Sequence, residues 1–327
     1  MRVSELTARQ QSRWRRALLT FSALLLLVCG LALSVGEIWI NPFAPVSTLE
    51  QQLLLQLRLP RVLVSVMIGA SLAMAGASLQ VLLGNPLAEP GVLGISGGAS
   101  IAVVLLLLLA PAWASSGSMA VAAMLGASLF TFILVILARR ALATARILLV
   151  GVALSILAGA GVTLAFYFST DFNLRQLMVW LMGSLSGMRL EHVGILTMTL
   201  PCIALLWRYG HKLDQLMLGE SQAQQLGLDT HQLRWQLIAL ISVLVGVSVA
   251  VAGVIGFIGL IVPHYLRLWL GSRNRTLLPM SALAGALLLV SADTVGRLIL
   301  PSAELPVGVV TSVLGAPLFI WMLVRAG

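Results

Sequence analysis

The chain is 327 residues long, 59% hydrophobic and only 9% charged, with a mean hydropathy of +1.03. Soluble domains average about a quarter charged residues and under half apolar, so this composition cannot coat a globule in water and excludes a soluble enzyme. The formal charge of +9, from 20 Lys and Arg against 11 Asp and Glu, would suggest nucleic acid in a soluble protein. Beside membrane spans it records the preference of basic side chains for the cytoplasmic side, so nucleic acid is not an expected partner.

A bilayer span takes about 20 apolar residues. Apolar runs between polar or Pro/Gly breaks predict ten membrane helices, at about 16–36, 61–83, 91–110, 117–138, 146–168, 190–208, 235–257, 258–272, 276–297 and 306–325. The expected architecture is an all-α polytopic membrane protein with one transmembrane domain over residues 1–327. The first run, flanked by Arg13, Arg15 and Arg16, reads as a retained helix because many spans follow it. With the N-terminus inside, only Arg58, Arg61, Arg175, Arg189 and Arg297 fall outside. That leaves fifteen of the 20 basic residues inside and predicts cytoplasmic termini.

Three connectors stand out. The first outer loop, about 37–60, carries Pro42, Pro45 and Pro60 and is expected to be extended. The second holds a short periplasmic helix at about 171–183, with Ser169, Thr170 or Asp171 as cap and Gly183 and Gly187 as its end. The third, about 209–233, is cytoplasmic and reads as one or two short amphipathic helices broken at Gly219 and Gly227. Ser221 to Leu228 contains no Lys or Arg, unlike a helix lying on lipid headgroups, which favours a protein partner. Small residues crowd the second span (Gly69, Ala73, Gly76, Ala77) and the fifth (Gly151, Ala153, Ala158, Gly161), which places both centrally in the bundle, where backbones approach closely.

Nearly every charge falls at a span end, so the midplane carboxylates of an ion-coupled transporter are missing. The single lysine, Lys212, follows His211, and no GxxxxGK[ST] phosphate loop exists. ATP hydrolysis must then come from another subunit. The four histidines lack i,i+4 pairing, and Cys29 and Cys202 lie in apolar runs, so no metal site is expected. No nucleophile elbow is present, and no catalytic residue is assigned. The string NPLAEPGVLGISGGA, Asn85 to Ala99, leaves irregular backbone that a membrane tolerates only against protein or a water-filled cavity, which suits a gate or pathway wall. GFIGLIVPH, Gly256 to His264, has the same character, with Pro263 ending or kinking a helix. Arg58 and Arg61 around Pro60, together with Arg297, could meet carboxylates of a docking protein. The alternatives are lipid headgroups or pairing with Glu304.

At these strings the sequence resembles the permease subunits of ATP-binding-cassette importers for iron chelates and cobalamin. The resemblance is carried by LRLPR at 57–61, NPLAEPGVLGIS at 85–96, YFST and LRQLMVWLMG within 167–183, LGESQAQQLGL at 218–228, VAGVIGFIGLIVPHYLRL at 251–268 and AELPVGVVTSVLGAPLFIWML at 303–323. The YFST, LRQLMVWLMG and AELPVGVV wording leans toward cobalamin over a ferric siderophore or haem. The resemblance implies a type II importer permease fold in the bacterial inner membrane, working by alternating access. It implies a homodimer with two cytoplasmic ATPase subunits, which bind ATP and Mg in place of any cofactor here, and a periplasmic substrate-binding protein. It implies that Gly219, Glu220, Gln224, Leu226, Gly227 and Leu228 form coupling helices against the ATPase. Arg58, Arg61 and Arg297 would meet acidic residues of the binding protein. Asn85, Pro86 and Leu87 match one cytoplasmic gate, and Thr144 with Ala145 a second, where Ala145 replaces an expected hydroxyl residue.

Overall fold

A computed structural model describes residues 3–36, 38–42, 44–91, 93–139, 144–168, 178, 180–299 and 304–326. Among them the regular structure is helical: α1 (Val3–Ser34), α2 (Thr48–Gln52), α3 (Leu59–Leu82), α4 (Ile95–Leu109), α5 (Ser116–Arg139), α6 (Thr144–Tyr167), α7 (Leu190–Leu196), α8 (Thr199–Arg208), α9 (Gly210–Leu216), α10 (Glu220–Gln225), α11 (Thr230–Ala252), α12 (Ile258–Leu270), α13 (Asn274–Ile299) and α14 (Val307–Ala326). Among the described residues seven helical stretches are long and apolar enough to cross a membrane, and α4, α12 and Val307–Trp321 of α14 are shorter apolar helices. The chain is a multi-pass helical membrane protein.

Local chemistry explains the boundaries. Asp229 caps α11, and the helix stops at Gly253, whose φ of 71° no side-chain-bearing residue adopts easily. A Cβ there would also lie 1.8 Å from the Trp180 carbonyl oxygen. The span over 190–208 is two helices, α7 and α8, because Pro201 has no N–H for the carbonyl of Thr197. The expected extended loop at 37–60 is corrected. From Thr48 the chain is helical, passing through a wide π turn at Leu53–Arg58 into α3. Ser47 and Glu50 supply the start: Ser47 Oγ accepts the Glu50 N–H at 3.1 Å, and the Glu50 carboxylate accepts the Val46 N–H at 2.7 Å. The wide turn then makes room for the ring of Pro60, which sits at the start of α3.

The core is built on α3, which packs against α11, α12 and α13. The contacts are backbone to backbone. A Cβ on Gly69 would lie 2.4 Å from the Gly285 carbonyl oxygen, and one on Gly76 would lie 2.0 Å from that of Gly259. Gly98 of α4 and Gly126 of α5 meet in the same way. Lipid gives helices no hydrophobic reason to associate, so dispersion contact at such crossings holds the bundle. Within the single chain the fifth span, α6, lies at the edge: only one side of it packs, with Gly151 against Leu93 and Gly161 against Ile101. Leu149, Ile156, Leu157 and Leu164 on other sides are exposed. Its small residues line one seam with α4 and the connector before it.

Candidate functional site

The candidate residues gather at two ends of the bundle. At one, α9 and α10 form a loop against the start of α11. Gly219 (φ 104°) and Gly227 (φ 82°) bound α10. Glu220 pairs with Arg234 at 2.9 Å, and Gln224 Nε2 donates to Oγ1 of buried Thr230 at 2.9 Å. The two polar residues therefore fasten α10 to α11 and set the loop's shape. Met217, Leu218 and Leu226 stand exposed beside them, with Leu228 half-buried. The outward side of the loop is a small apolar surface framed by glycines.

The α3–α4 connector lies at the same end. Gly84 (φ 60°) turns the chain out of α3, Asn85 donates its N–H to the Gln80 carbonyl at 3.0 Å, and Asn85 Oδ1 accepts the Leu87 N–H at 2.9 Å. Asn85 is buried and shapes the turn, while Pro86 is exposed and Leu87 half-buried. Glu89 is buried and accepts the Phe257 N–H at the start of α12. Burial pushes its carboxyl above the usual range, and that hydrogen bond opposes the shift. Thr144 and Ala145 open α6, but their side chains lie outside the described residues. The same holds for Ser169, Thr170 and Asp171 and for most of the short helix expected at about 171–183.

At the opposite end the three arginines converge, each engaged by acceptors of the chain itself. Arg58 donates to the carbonyls of Leu33 and Ser34, both at 2.8 Å, and so caps the end of α1. Arg61 Nε and Nη2 fork onto Asp293 at 2.8–3.1 Å, and its Nη1 reaches Glu304 at 2.9 Å. Arg297 lies 3.4 Å from the same Asp293 and donates to the Ala32 carbonyl at 3.2 Å. The side chains of Arg61, Arg297 and Asp293 are 12%, 10% and 5% exposed, so this cluster is turned into the bundle. Glu304 is 44% exposed. Burial would raise its carboxyl, but the hydrogen bond and charge of Arg61, with further help from Ser186 and Arg297, leave it below the usual range.

Asp293 was visible in sequence only as a charge near a span end; the one hint was its i,i+4 spacing to Arg297. Gln80 and Arg234 carried no signal at all, since each matters through a partner on another helix. Among the described residues no group of three His, Cys, Asp or Glu side chains is placed to hold a metal ion.

Comparison with known proteins extends over almost the whole chain. The model of the FecCD transport family matches residues 18–325. The chain is 60% identical over 317 residues to the vitamin B12 import system permease protein BtuC of Vibrio cholerae, covering 97% of this chain and 96% of that one. It is 54% identical to the BtuC of Vibrio vulnificus, covering 100% and 99%, and 50% identical to that of Yersinia enterocolitica, covering 98% and 96%. Its fold is similar to a solved inward-facing conformation of a protein described as a metal-chelate type ABC transporter, with a TM-score of 0.85, 30% identity and coverage of 95% and 99%. The chain belongs to the FecCD transport family.

Proposed function

We propose that this chain is the membrane permease subunit of an ATP-binding-cassette importer that carries vitamin B12 across the bacterial inner membrane by alternating access. The observation that carries this reading is the 60% identity to a vitamin B12 import permease along 97% of the chain. It works as a homodimer, and the exposed apolar side of α6 is the kind of surface a second copy or lipid covers. Two ATPase subunits, which bind the ATP and Mg, seat on the α9–α10 loop. Met217, Leu218 and Leu226 supply the apolar contact, and Gly219, Glu220, Gln224, Gly227 and Leu228 hold its shape. The loop end faces the cytoplasm together with both termini, in keeping with the excess of basic residues on that side.

Movement of this loop is passed to the cytoplasmic gates at Asn85, Pro86 and Leu87 and at Thr144 and Ala145. A periplasmic binding protein delivers the cargo at the arginine end. There three arginines face two carboxylates, so a partner carboxylate can replace exposed Glu304 on Arg61 while Asp293 keeps the guanidinium in place. No residue of the chain does covalent chemistry.

The test is uptake by the full transporter in proteoliposomes, with ATPase and binding protein supplied. Labelled cobalamin should accumulate only with ATP, and ferric chelates should not. The fold similarity to a metal-chelate type transporter makes chelate uptake the second reading. Accumulation of ferric siderophore or haem without cobalamin would establish it. Uptake by the chain alone, driven by an ion gradient, would overturn both.

A further inference from the structure

Pro263 lies inside α12, so the Gly259 carbonyl one turn earlier loses the N–H that residue 263 would otherwise donate to it. A buried side chain of another helix fills the place: Gln80 Nε2 of α3 reaches the Gly259 and Leu260 carbonyl oxygens at 3.4 and 3.3 Å. It can do so because Gly76 and Gly259 bring the two backbones into contact one turn away. The other end of the same amide is used as well. Gln80 Oε1 accepts from Arg267 Nη2 at 3.4 Å, and the backbone carbonyl of Gln80 accepts the Asn85 N–H that begins the connector.

Arg267 in turn reaches the root of the α9–α10 loop, with Nη1 3.8 Å from the sulfur of Met217. That sulfur also accepts from Asn274 Nδ2 at 3.0 Å, and the Asn274 N–H donates to Asp214 of α9 at 2.6 Å. Arg267 Nε is buried without a hydrogen-bond partner. The guanidinium thus bridges Gln80 on one side and the root of the loop on the other, and the charge of Asp214 on α9 also acts on it.

We propose that Gln80 and Arg267 are positioning residues for transport: they are the joint through which displacement of the α9–α10 loop reaches the Asn85–Leu87 turn. This rests on the reading above, in which the loop is driven by ATPases and the turn is a gate. When the loop moves, Met217 carries Arg267 with it, Arg267 pulls on Gln80, and Gln80 moves both the first turn of α12 and the backbone bond that shapes the turn.

The test uses the complete transporter in lipid, in a background lacking Cys29 and Cys202. Spin labels are placed at Leu87→Cys in one sample and at Gln222→Cys in another. Distances between the two copies are measured with and without ATP. In the parent protein both pairs should shift. With Gln80→Leu or Arg267→Met, the Gln222 pair should still shift, the Leu87 pair should not, and cobalamin uptake per ATP hydrolysed should fall about tenfold. Arg267→Lys, which keeps a donor in reach of Gln80, should restore much of it. If Gln80→Leu does not assemble, Arg267→Met carries the same test. A Leu87 pair that shifts as in the parent protein, or a lower melting temperature with uptake per ATP unchanged, overturns the joint. Labels that respond in a parent protein that takes up no cobalamin would sink the transport assignment and leave the joint standing.

Discussion

The two ends of the bundle are fastened by different chemistry. At the arginine end, Arg61, Arg297 and Asp293 are almost fully enclosed: Arg61 of α3 forks onto Asp293 of α13 at 2.8–3.1 Å, and Arg297 lies 3.4 Å from the same carboxylate. At the loop end, the ties are a half-exposed ion pair between Glu220 and Arg234, the Gln224–Thr230 hydrogen bond, the Asn274 N–H on Asp214 at 2.6 Å, an amide–guanidinium contact and two sulfur contacts, beside uncovered Met217, Leu218 and Leu226. Losing one member of a buried pair strands a charge and costs several kcal/mol, whereas exposed pairs contribute little. One end therefore rests on enclosed charge pairing, and the other on an exposed ion pair and single hydrogen bonds beside an uncovered apolar patch.

Thermal unfolding of the purified protein can break that contrast. Arg61→Ala should have the largest effect, about 3–5 kcal/mol, because Asp293 stays buried with only the longer contact to Arg297. A loss no larger than that of an exposed pair would show the arginine end to be as loose as the other. Gly76→Ala tests the crossing between the ends. With its Cβ 2.0 Å from the Gly259 oxygen, α3 and α12 must part, and a loss of about 1–3 kcal/mol is expected.

A smaller effect belongs to Glu304. Its carboxyl is held below the ordinary 4.5, so its contribution is present at neutral pH and disappears as pH falls through the depressed value. Glu304→Gln should remove that part of the acid dependence, at under about 1 kcal/mol because the group is 44% exposed. Melting curves at pH 7 and pH 3.5 that differ from the parent protein by the same amount would contradict this. Smallest of all, Glu220→Ala should cost under about 0.5 kcal/mol of stability. Leu226→Glu should cost as little while sharply reducing ATP-driven uptake, since an exposed apolar group is replaced by a charge where a partner is proposed to sit. Unimpaired uptake in that variant would remove the loop's coupling role.

Much of the fold was legible in the chain. Runs of about 20 apolar residues mark their own helices, and the breaks at Gly219 and Gly227 follow from backbone conformations that glycine alone takes easily, whereas the span expected over 235–257 stops earlier, at Gly253. Of the segment expected to be extended before α3, the part with Pro42 and Pro45 is non-helical, and the departure begins at Thr48. Proline at the first turn of a helix is tolerated, and the Ser47–Glu50 capping pair outweighed the proline count. The edge position of α6 within the single chain was not legible, because composition counts small residues without saying which side of the helix they occupy. At the candidate site, Arg58, Arg61 and Arg297 stood out by type and position, but their carbonyl and carboxylate partners did not. Glu220 and Gln224 stood out as polar residues of a partner-facing loop, and in the fold their bonds run inward to Arg234 and Thr230.

By itself the sequence determined residence in the membrane, the position of most helices and the absence of a phosphate-binding loop, because hydropathy, helix caps and short motifs act over a few to about 20 neighbouring residues. Only the tertiary structure decided that Arg61 meets Asp293 232 residues away, that Gln80 fills the bond Pro263 leaves open, and that α3 rather than α6 lies at the centre of the single chain. Those outcomes depend on which faces of distant helices touch. In a bundle held by backbone approach at a few glycines, Gly69 and Gly76 mark a close crossing, but nothing local encodes which distant helix meets them.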